Sequence, residues 1–583
     1  MKSKVVRRAR TKKEHGRMPY LGAVSFLNLK AFGDWQTLPI KPLNLIFGKN
    51  SSGKSSIFHA LLWFRDVLCY GDLNVMMPEK SGDFVDLGGL FQFTHFNREK
   101  QKKIGIRLDI ADPEAILFKR LEGKFSDLQS KDPEDEGWSN SMVQESLKTW
   151  SSVKDALFPN NNDPHYVLEI QFDIFGLKPE DRFRSIHIAP KISLYMGPEK
   201  VLHFAPLTNG SGQFRTGKNI QDDDIYEVKC ESLLFHRRIL PLLADLAHDI
   251  SCCDIRSPKQ ASNKWRPTPN EIAAGMQKRK LSAVSFSRNL RGIRVFPEGK
   301  SLKDFGHIYL VDPGEFDYPD GGDPEGVLDT QERARLRVFD ALMEDLFGGV
   351  GHIVQEAANT FFRDLNYLAA YRNYPGREIS QNMMRNVRYE PHGTESYRDA
   401  LVDIKTVERL NLACKKLNAD FEIKLSGDRR EWSGTRLQIL KNGHELSFRD
   451  IGFGWSQVIP VLVELVQQKY SAIFVEQPEL HLHPNNQSEL MDVILENLPQ
   501  KKDSLSPIFF ELHSEQMVLR LLRRIREGPE KEGQKKISAN DCSISYVVKG
   551  PDGSQIKGLE VSGRGTMVDP WPGGFFESAL RDF

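Results

Sequence analysis

The sequence predicts an α/β fold whose mainly parallel sheet is assembled from two widely separated stretches of chain. Three observations carry this. A short apolar run, "KPLNLIF", leads into the glycine-rich turn "GKNSSGKSS" at 48–56 and then into a helix. From about residue 400, buried apolar strands alternate with helices, the pattern of a parallel sheet covered on both faces. Between about 100 and 225 apolar residues alternate with polar ones, as in half-buried antiparallel strands.

The elements follow in order. Residues 1–17 hold eight Lys or Arg and one acid, a block that reads as a disordered basic tail or a nucleic-acid contact. "GAVSFLNLKAF" alternates as a strand, and "SIFHALLWFRDVLCY" places Ile57, Leu61, Phe64 and Leu68 on one helix face. "YVLEIQFDIFGL" and "RSIHIAPKISLYMG" read as strands. Helices are expected over "YEVKCESLLFHRRILPLLADLAHDI", "TQERARLRVFDALMEDLFGG" and "VGHIVQEAANTFFRDL", with an irregular, Pro-, Gly-, Lys- and Arg-rich stretch at 251–328. Near the end, "RLQILKNGHELSFRDI" is a hairpin turning at Asn442-Gly443. "GWSQVIPVLVELVQQKY", "NNQSELMDVILENL" and "SEQMVLRLLRRIREG" are helices. "SAIFVE" and "SPIFFEL" are buried strands, and a hairpin around 550–553 closes the chain. The expected organisation is a tail at 1–17, an N-terminal lobe with a β subdomain at 18–225, a helical and irregular insertion at 226–365, and a C-terminal lobe at 366–583.

Composition narrows the classes. With 583 residues the chain is long enough for roughly two to four domains. Its 80 Lys+Arg balance 79 Asp+Glu, so net charge points to neither nucleic acid nor membrane. Six cysteines without a C-x-x-C pair read as reduced thiols. No run approaches the ~18 apolar residues of a membrane span. A cytoplasmic location is expected.

The strongest chemical signal is Gly48–Ser55, which fits G-x-x-x-x-G-K-[ST] between a strand and a helix. Gly48, Asn50, Ser51, Ser52, Gly53 and Ser56 would line a loop whose backbone N–H groups face phosphates at a helix N-terminus. Lys54 would reach the β- and γ-phosphates of ATP, and Ser55 would ligate Mg²⁺. Glu476 ends the strand "AIFV" and is a second candidate for holding Mg²⁺. Gln477 follows it, then Pro478 and Glu479; His513 ends the next strand as a candidate γ-phosphate sensor. Gly454, in "IGFGWSQ", opens another helix start suited to an anion, with Ser456 near its cap. "HLHP" holds His481 and His483, a poor metal site by itself. Basic residues cluster at 277–294, a candidate nucleic-acid contact, and at 520–527, which reads as a solvated face.

The order of these motifs resembles the ABC-type ATPases of the RecF, SMC and OLD group. "LIFGKNSSGKSSI", "IGFGWSQVIPVLVEL", "VEQPELHLHP" and "ELHSEQMVLRLLRRIREG" carry the resemblance, over about 18–110 and 360–583. "YLAAYRNYPGRE" and "WPGGFFE" look more narrowly like the bacterial "AAA family ATPases" of anti-phage modules, such as Septu PtuA and retron-linked ATPases. The resemblance implies a P-loop NTPase of the ABC head type, split by a large β-rich and helical insertion. It also implies a head-to-tail homodimer, or a higher oligomer, in which the Gly452–Ser456 segment of one copy closes over the γ-phosphate held by the other. It suggests Gln92 as a Q-loop contact to Mg²⁺, where an ordinary turn is the alternative. For Arg372 it suggests a phosphate or interface contact, with a surface ion pair as the alternative. A separate effector such as an HNH nuclease would carry any toxic chemistry.

Two departures stand out. Gly452 occupies the usual signature serine, so a serine contact would fall to Ser456. Gln477 stands where many relatives carry a catalytic glutamate. An amide orients water but takes its proton poorly, and losing a general base costs ~10²–10⁴-fold in rate. OLD-type relatives often add a C-terminal nuclease, and the 70 residues after His513 (583 − 513) show no paired carboxylates for one. The expected activity is slow ATP hydrolysis controlling a defence effector. The alternatives are a DNA-repair or DNA-clamp ATPase of the RecF kind and a nucleotide-gated scaffold.

Overall fold

The computed structural model describes residues 19–65, 103–113, 115–119, 140–158, 164–175, 187–206, 224–229, 280–283, 356–377, 379–380, 392–426, 436–498, 506–528 and 535–571, with a few shorter pieces between them. The N-terminal part begins with β1 (Tyr20–Leu27), β2 (Gln36–Pro39), β3 (Leu43–Gly48) and α1 (Lys54–Arg65). It continues with β4 (Lys103–Ala111), α2 (Asn140–Leu157), β5 (His165–Phe175), β6 (His187–Met196), β7 (Glu199–Pro206), β8 (Asp224–Lys229) and β9 (Lys280–Ala283). Except for β3, these strands form one antiparallel sheet in the order β2-β1-β4-β5-β6-β7-β8-β9.

The C-terminal part holds β10 (Leu365–Leu368), β11 (Ile379–Ser380), α3 (Thr394–Val402), α4 (Ile404–Lys416), β12 (Glu422–Ser426), β13 (Arg436–Lys441) and β14 (His444–Leu446). Then come α5 (Phe453–Gln467), β15 (Ala472–Glu476), α6 (Pro484–Asn497), β16 (Ile508–Glu511), α7 (Glu515–Glu527), β17 (Cys542–Gly550) and β18 (Gly553–Leu559). A second sheet runs β10-β15-β16-β3-β17-β18 and is parallel up to the β17–β18 hairpin. It joins β3 to strands more than 300 residues further along the chain. β11, β12, β13 and β14 make a small third sheet.

Side-chain alternation decides how this central sheet is covered. Ile46, Ala472, Phe474 and Phe509 face a core shared with α1 and the antiparallel sheet. Leu43, Leu45, Phe47, Ile473, Val475, Ile508 and Phe510 face the opposite core, filled by α4, α5, α6 and α7. Both faces are apolar, so the strands read as continuous hydrophobic runs. The hairpin at Asn442-Gly443 has φ of 51° and 79°, the pair of positive values that a two-residue turn of matching twist requires.

Three expectations change. The 140–157 stretch is the helix α2, where only strands and loops were expected; Trp150, Val153 and Leu157 are its buried stripe. Tyr226–Lys229, expected to open a helix, is part of β8, because pairing with β7 and β9 overrides its weak helical pattern. Leu365, expected to end a helix, starts the edge strand β10. The strand β8 also straddles residue 225, where the N-terminal lobe was expected to end. Among the described residues, Cys414 and Cys542 are free and buried, and burial pushes both thiols up to about 12. Among the same residues no helix is long and apolar enough to cross a membrane.

Candidate nucleotide-binding site

The loop between β3 and α1 is built around two close approaches. A Cβ on Gly53, whose φ is +101°, would lie 2.4 Å from Ala31 Cβ. One on Gly48 would lie 2.6 Å from the Val547 carbonyl of the neighbouring strand. Lys49, Asn50 and Ser51 are exposed at the loop's crest, while Ser52 is buried and its carbonyl accepts a bond from Ser554 Oγ at 2.6 Å. Ser56 N–H donates to the Gly53 carbonyl at 3.1 Å, closing the first turn of α1.

Lys54 is buried at this helix start. Its ammonium donates to the carbonyls of Gly48 at 3.2 Å and Lys49 at 3.1 Å, with Glu511 Oε1 at 3.6 Å. Burial lowers its pKa, and the Glu511 carboxylate partly restores it. Ser55 Oγ donates to Glu511 Oε2 at 2.8 Å. Glu476, at the end of β15, accepts from Tyr367 Oη at 3.1 Å and from the Ala370 N–H at 3.3 Å. Burial raises its pKa first and the Glu511 charge second, and the hydrogen bond from Tyr367 opposes both. A hydroxyl and two carboxylates therefore converge beside the phosphate loop. All-oxygen donors of this kind fit Mg²⁺, which takes one or two carboxylates and shares its remaining positions with water and phosphate oxygens. Among the described residues no group of three or more His, Cys, Asp or Glu side chains could hold a metal.

Behind Glu476 the chain turns sharply. Gln477 has φ +43°, and its N–H donates to the Glu511 carbonyl at 2.8 Å. Glu479 is buried; its Oε1 accepts from the His513 N–H at 2.5 Å, and its Oε2 has no protein partner. Burial pushes this carboxyl up to about 6, against the His513 bond and the nearby Arg372 charge. Burial and Lys54 both lower the pKa of His513.

Arg372 is fully buried, which removes the surface ion pair as its explanation. Its Nη2 donates to the Glu476 carbonyl at 2.5 Å, while Nε and Nη1 have no hydrogen-bond partner. Burial lowers its pKa to about 10. Gln457 of α5 brackets its backbone, accepting from the Arg372 N–H at 3.1 Å and donating to its carbonyl at 3.0 Å. Arg372 thus links α5 to the strand end that carries Glu476.

The second helix start has a different face. Ser456 is fully buried and its hydroxyl donates to the Phe453 carbonyl at 2.7 Å. It is therefore turned into its own helix, which corrects the expectation that it replaces the signature serine. Gly452 and Phe453 are the exposed residues there. Gly454 is a packing glycine, since its Cβ would sit 2.7 Å from the His481 carbonyl. The His481 ring meets Phe453 edge-on at 4.8 Å, and His483 caps α6 by accepting from Asn485 N–H at 3.3 Å. The two histidines serve packing and capping.

The structure brings Ser55, Lys54, Glu476, Gln477 and His513 together around one strand end and loop. Gln92 and the 277–294 basic cluster, apart from the backbone of β9, lie outside the described residues. The other basic cluster is internally paired. Arg520 and Arg524 both bond Asp492, and Arg524 is buried rather than solvated. Sequence reasoning missed Glu511. Its signal was visible, because "PIFFE" repeats the pattern of "AIFVE", an apolar strand ending in a carboxylate.

Two family models match this chain. One, described as an AAA domain, matches residues 24–214. The other, described as "AAA domain, putative AbiEii toxin, Type IV TA system", matches residues 341–510. No curated protein matches the chain. The SMC head domain from Thermotoga maritima aligns with 93% of this chain and 100% of its own, at 9% identity and a TM-score of 0.31. The Smc head domain from Pyrococcus furiosus, solved with an extended coiled coil and bound to the C-terminal domain of ScpA, aligns with 97% and 98%, at 12% identity and 0.33. One from Pyrococcus yayanosii, with a coiled coil and joint, aligns with 94% and 98%, at 11% identity and 0.34. These structural likenesses are too slight to add to the case. The two AAA-domain matches fall on the two stretches that meet in the central sheet, one bringing β3 and α1, the other β10, β15 and nearly all of β16. The chain carries a phosphate-loop α/β fold whose two halves match AAA-domain families and are separated by residues 215–340.

Proposed function

We propose that this protein binds ATP with Mg²⁺ and hydrolyses it slowly within a head-to-tail dimer of two copies. The observation that supports it most is the convergence of Lys54, Ser55 and Glu476 at the β3–α1 loop, with Gln477 in the following position. The loop N–H groups and Lys54 hold the phosphate chain. Ser55 and Glu476 would hold Mg²⁺, which would supply charge neutralisation of the phosphates. Gln477 orients the attacking water by hydrogen bonding and leaves proton removal inefficient. His513 reads the γ-phosphate. The exposed Gly452–Phe453 start of α5 closes over the partner's phosphates, and an N-terminal lobe at 18–225 and a C-terminal lobe at 366–583 flank the 226–365 insertion.

In this reading the protein is a cytoplasmic sensor or regulator in an anti-phage defence system, controlling a separate effector such as an HNH nuclease. The motif resemblance supports that role. The toxin–antitoxin wording of the matched family is in keeping with it. The 277–294 cluster is the candidate nucleic-acid contact. The test is purification with the products of neighbouring genes, followed by ATP turnover and mass measurement. A dimer with slow turnover and a copurifying effector is the expected result. A monomer that neither binds nor hydrolyses ATP would sink the reading. Tight ATP binding with no turnover at all would favour a nucleotide-gated scaffold, the reading that Gln477 also favours.

A further inference from the structure

We propose that Glu511 is a metal-binding residue of this nucleotide site, so that the Mg²⁺ carried by ATP is held by two carboxylates from adjacent strands, Glu476 and Glu511, together with Ser55. The inference rests on the ATP reading above and adds a residue to it.

Strand order gives the first argument. β16 lies between β15 and β3, and Glu476 and Glu511 are register partners on their parallel strands. Register partners point to the same side of a sheet, on strands about 4.8 Å apart. Glu511 also pairs in register with Ile46 of β3, so it stands one strand nearer to the phosphate loop than Glu476 does.

Contacts give the second. Ser55 Oγ donates to Glu511 Oε2 at 2.8 Å, and the Glu511 charge acts on Glu476 across the strand pair. The serine that the loop motif assigns to the metal therefore bonds Glu511 directly, and Glu476 stands beside Glu511 in register. Lys54, the residue assigned to the phosphates, is 3.6 Å from Glu511 Oε1. Glu511 thus lies where the metal-binding and phosphate-binding halves of the loop meet.

Cost gives the third. Glu511 is only 4% exposed and stands in register with the buried Glu476, and the Lys54 ammonium 3.6 Å away offsets only one of these two charges. Two buried like charges on neighbouring strands are unfavourable, and an apolar or hydroxyl residue would suit this strand end better if shape were the only demand. A divalent cation between them removes the repulsion and uses both as ligands. Gln477 fits the same scheme. The position after Glu476 is neutral, yet the site keeps two carboxylates, the second supplied by the next strand.

An added carboxylate beside the phosphates makes nucleotide binding more dependent on the cation. Removing it should weaken metal binding and ease metal-free binding of the phosphate chain. The experiment uses the full chain, with mant-ATP fluorescence recorded across a Mn²⁺ titration and again in excess EDTA. Wild-type protein is compared with Glu511→Gln, which keeps shape, and Glu511→Asp, which keeps charge. We expect Glu511→Gln to need on the order of tenfold more Mn²⁺ or beyond, while its mant-ATP affinity in EDTA is equal to or tighter than wild type. Glu511→Asp should recover part of the Mn²⁺ affinity. A Mn²⁺ requirement within about twofold of wild type in Glu511→Gln overturns the inference. So does a parallel loss in both arms together with a lowered melting temperature, which marks a structural role. Wild-type protein that binds no mant-ATP in either arm overturns the ATP reading itself, and the two failures are thereby told apart.

Discussion

The two glycine-bearing helix starts, before α1 and before α5, have opposite surroundings. The α1 start is enclosed. Lys54 is 4% exposed, and Lys54 and Ser55 both meet Glu511. The α5 start is open. Gly452 has φ +93°, a Cβ there would meet nothing within 4 Å, no side chain caps the helix, and Phe453 is 40% exposed. Each start offers free N–H groups to an anion. Only the first is supplied by its own chain with a cation, a hydroxyl and carboxylates. The difference teaches that one start is most of a site by itself and the other is not, and the proposed head-to-tail dimer would use the second as a lid for the partner's site.

The comparison can be broken or sharpened. Lys54→Ala removes the one ammonium at the enclosed start, and nucleotide affinity should fall on the order of 100-fold or more. Retained mant-ATP binding in that variant would deny the α1 start its role. Arg372→Leu removes the donor to the Glu476 carbonyl, the side-chain half of the link between α5 and that strand end, and takes away the guanidinium charge near Glu479. Loss of about 1–3 kcal/mol is expected in urea unfolding, and adding Glu479→Gln should restore part of it. Gly452→Asp places a negative charge on the open start. Backbone strain there costs about 1–3 kcal/mol, and ATP turnover and dimer mass should be lost while mant-ATP binding to the single chain persists. Unchanged turnover would place the α5 start outside the working site.

Gln477→Glu should raise the hydrolysis rate by roughly tenfold or more. No change in rate would mean that the side chain does not face the attacking water. The smallest effect concerns pH. The Glu479 carboxyl is pushed from 4.5 up to about 6 in the folded protein. Between these values the folded state binds more protons than the unfolded one, so this group's contribution to stability falls as pH rises from about 4.5 to 6. Glu479→Gln should flatten that part of the stability–pH curve by an amount on the order of 1–2 kcal/mol. An identical slope in both proteins would show that Glu479 titrates normally.

Most of the elements around the site were legible in the sequence. The phosphate loop, "SAIFVE", "SPIFFEL", the α5, α6 and α7 helices and both late hairpins follow from local periodicity and turn chemistry. The helix α2 was not seen, although Leu147, Trp150, Val153 and Leu157 fall at helical spacing, because it sits among alternating strands. Leu365–Leu368 hid behind the preceding helix, since a four-residue strand has too little pattern of its own.

The sequence by itself determined the chemistry on offer, a phosphate loop, a carboxylate-ended strand, a glutamine after it and a histidine on the next strand. Local spacing is enough for that, because each motif is a turn or a strand end. Only the tertiary structure decided which groups meet. Ser55 and Glu511 are 456 residues apart in the chain and 2.8 Å apart in space. Ser456 points inward and Arg372 is fully buried, although both carry polar side chains common on surfaces. Strand order and burial are set by pairing between distant segments, and no local window contains that information. Gln477 therefore keeps the role proposed for it, an amide where a base is expected, and gains Glu511 as its neighbour only in the fold.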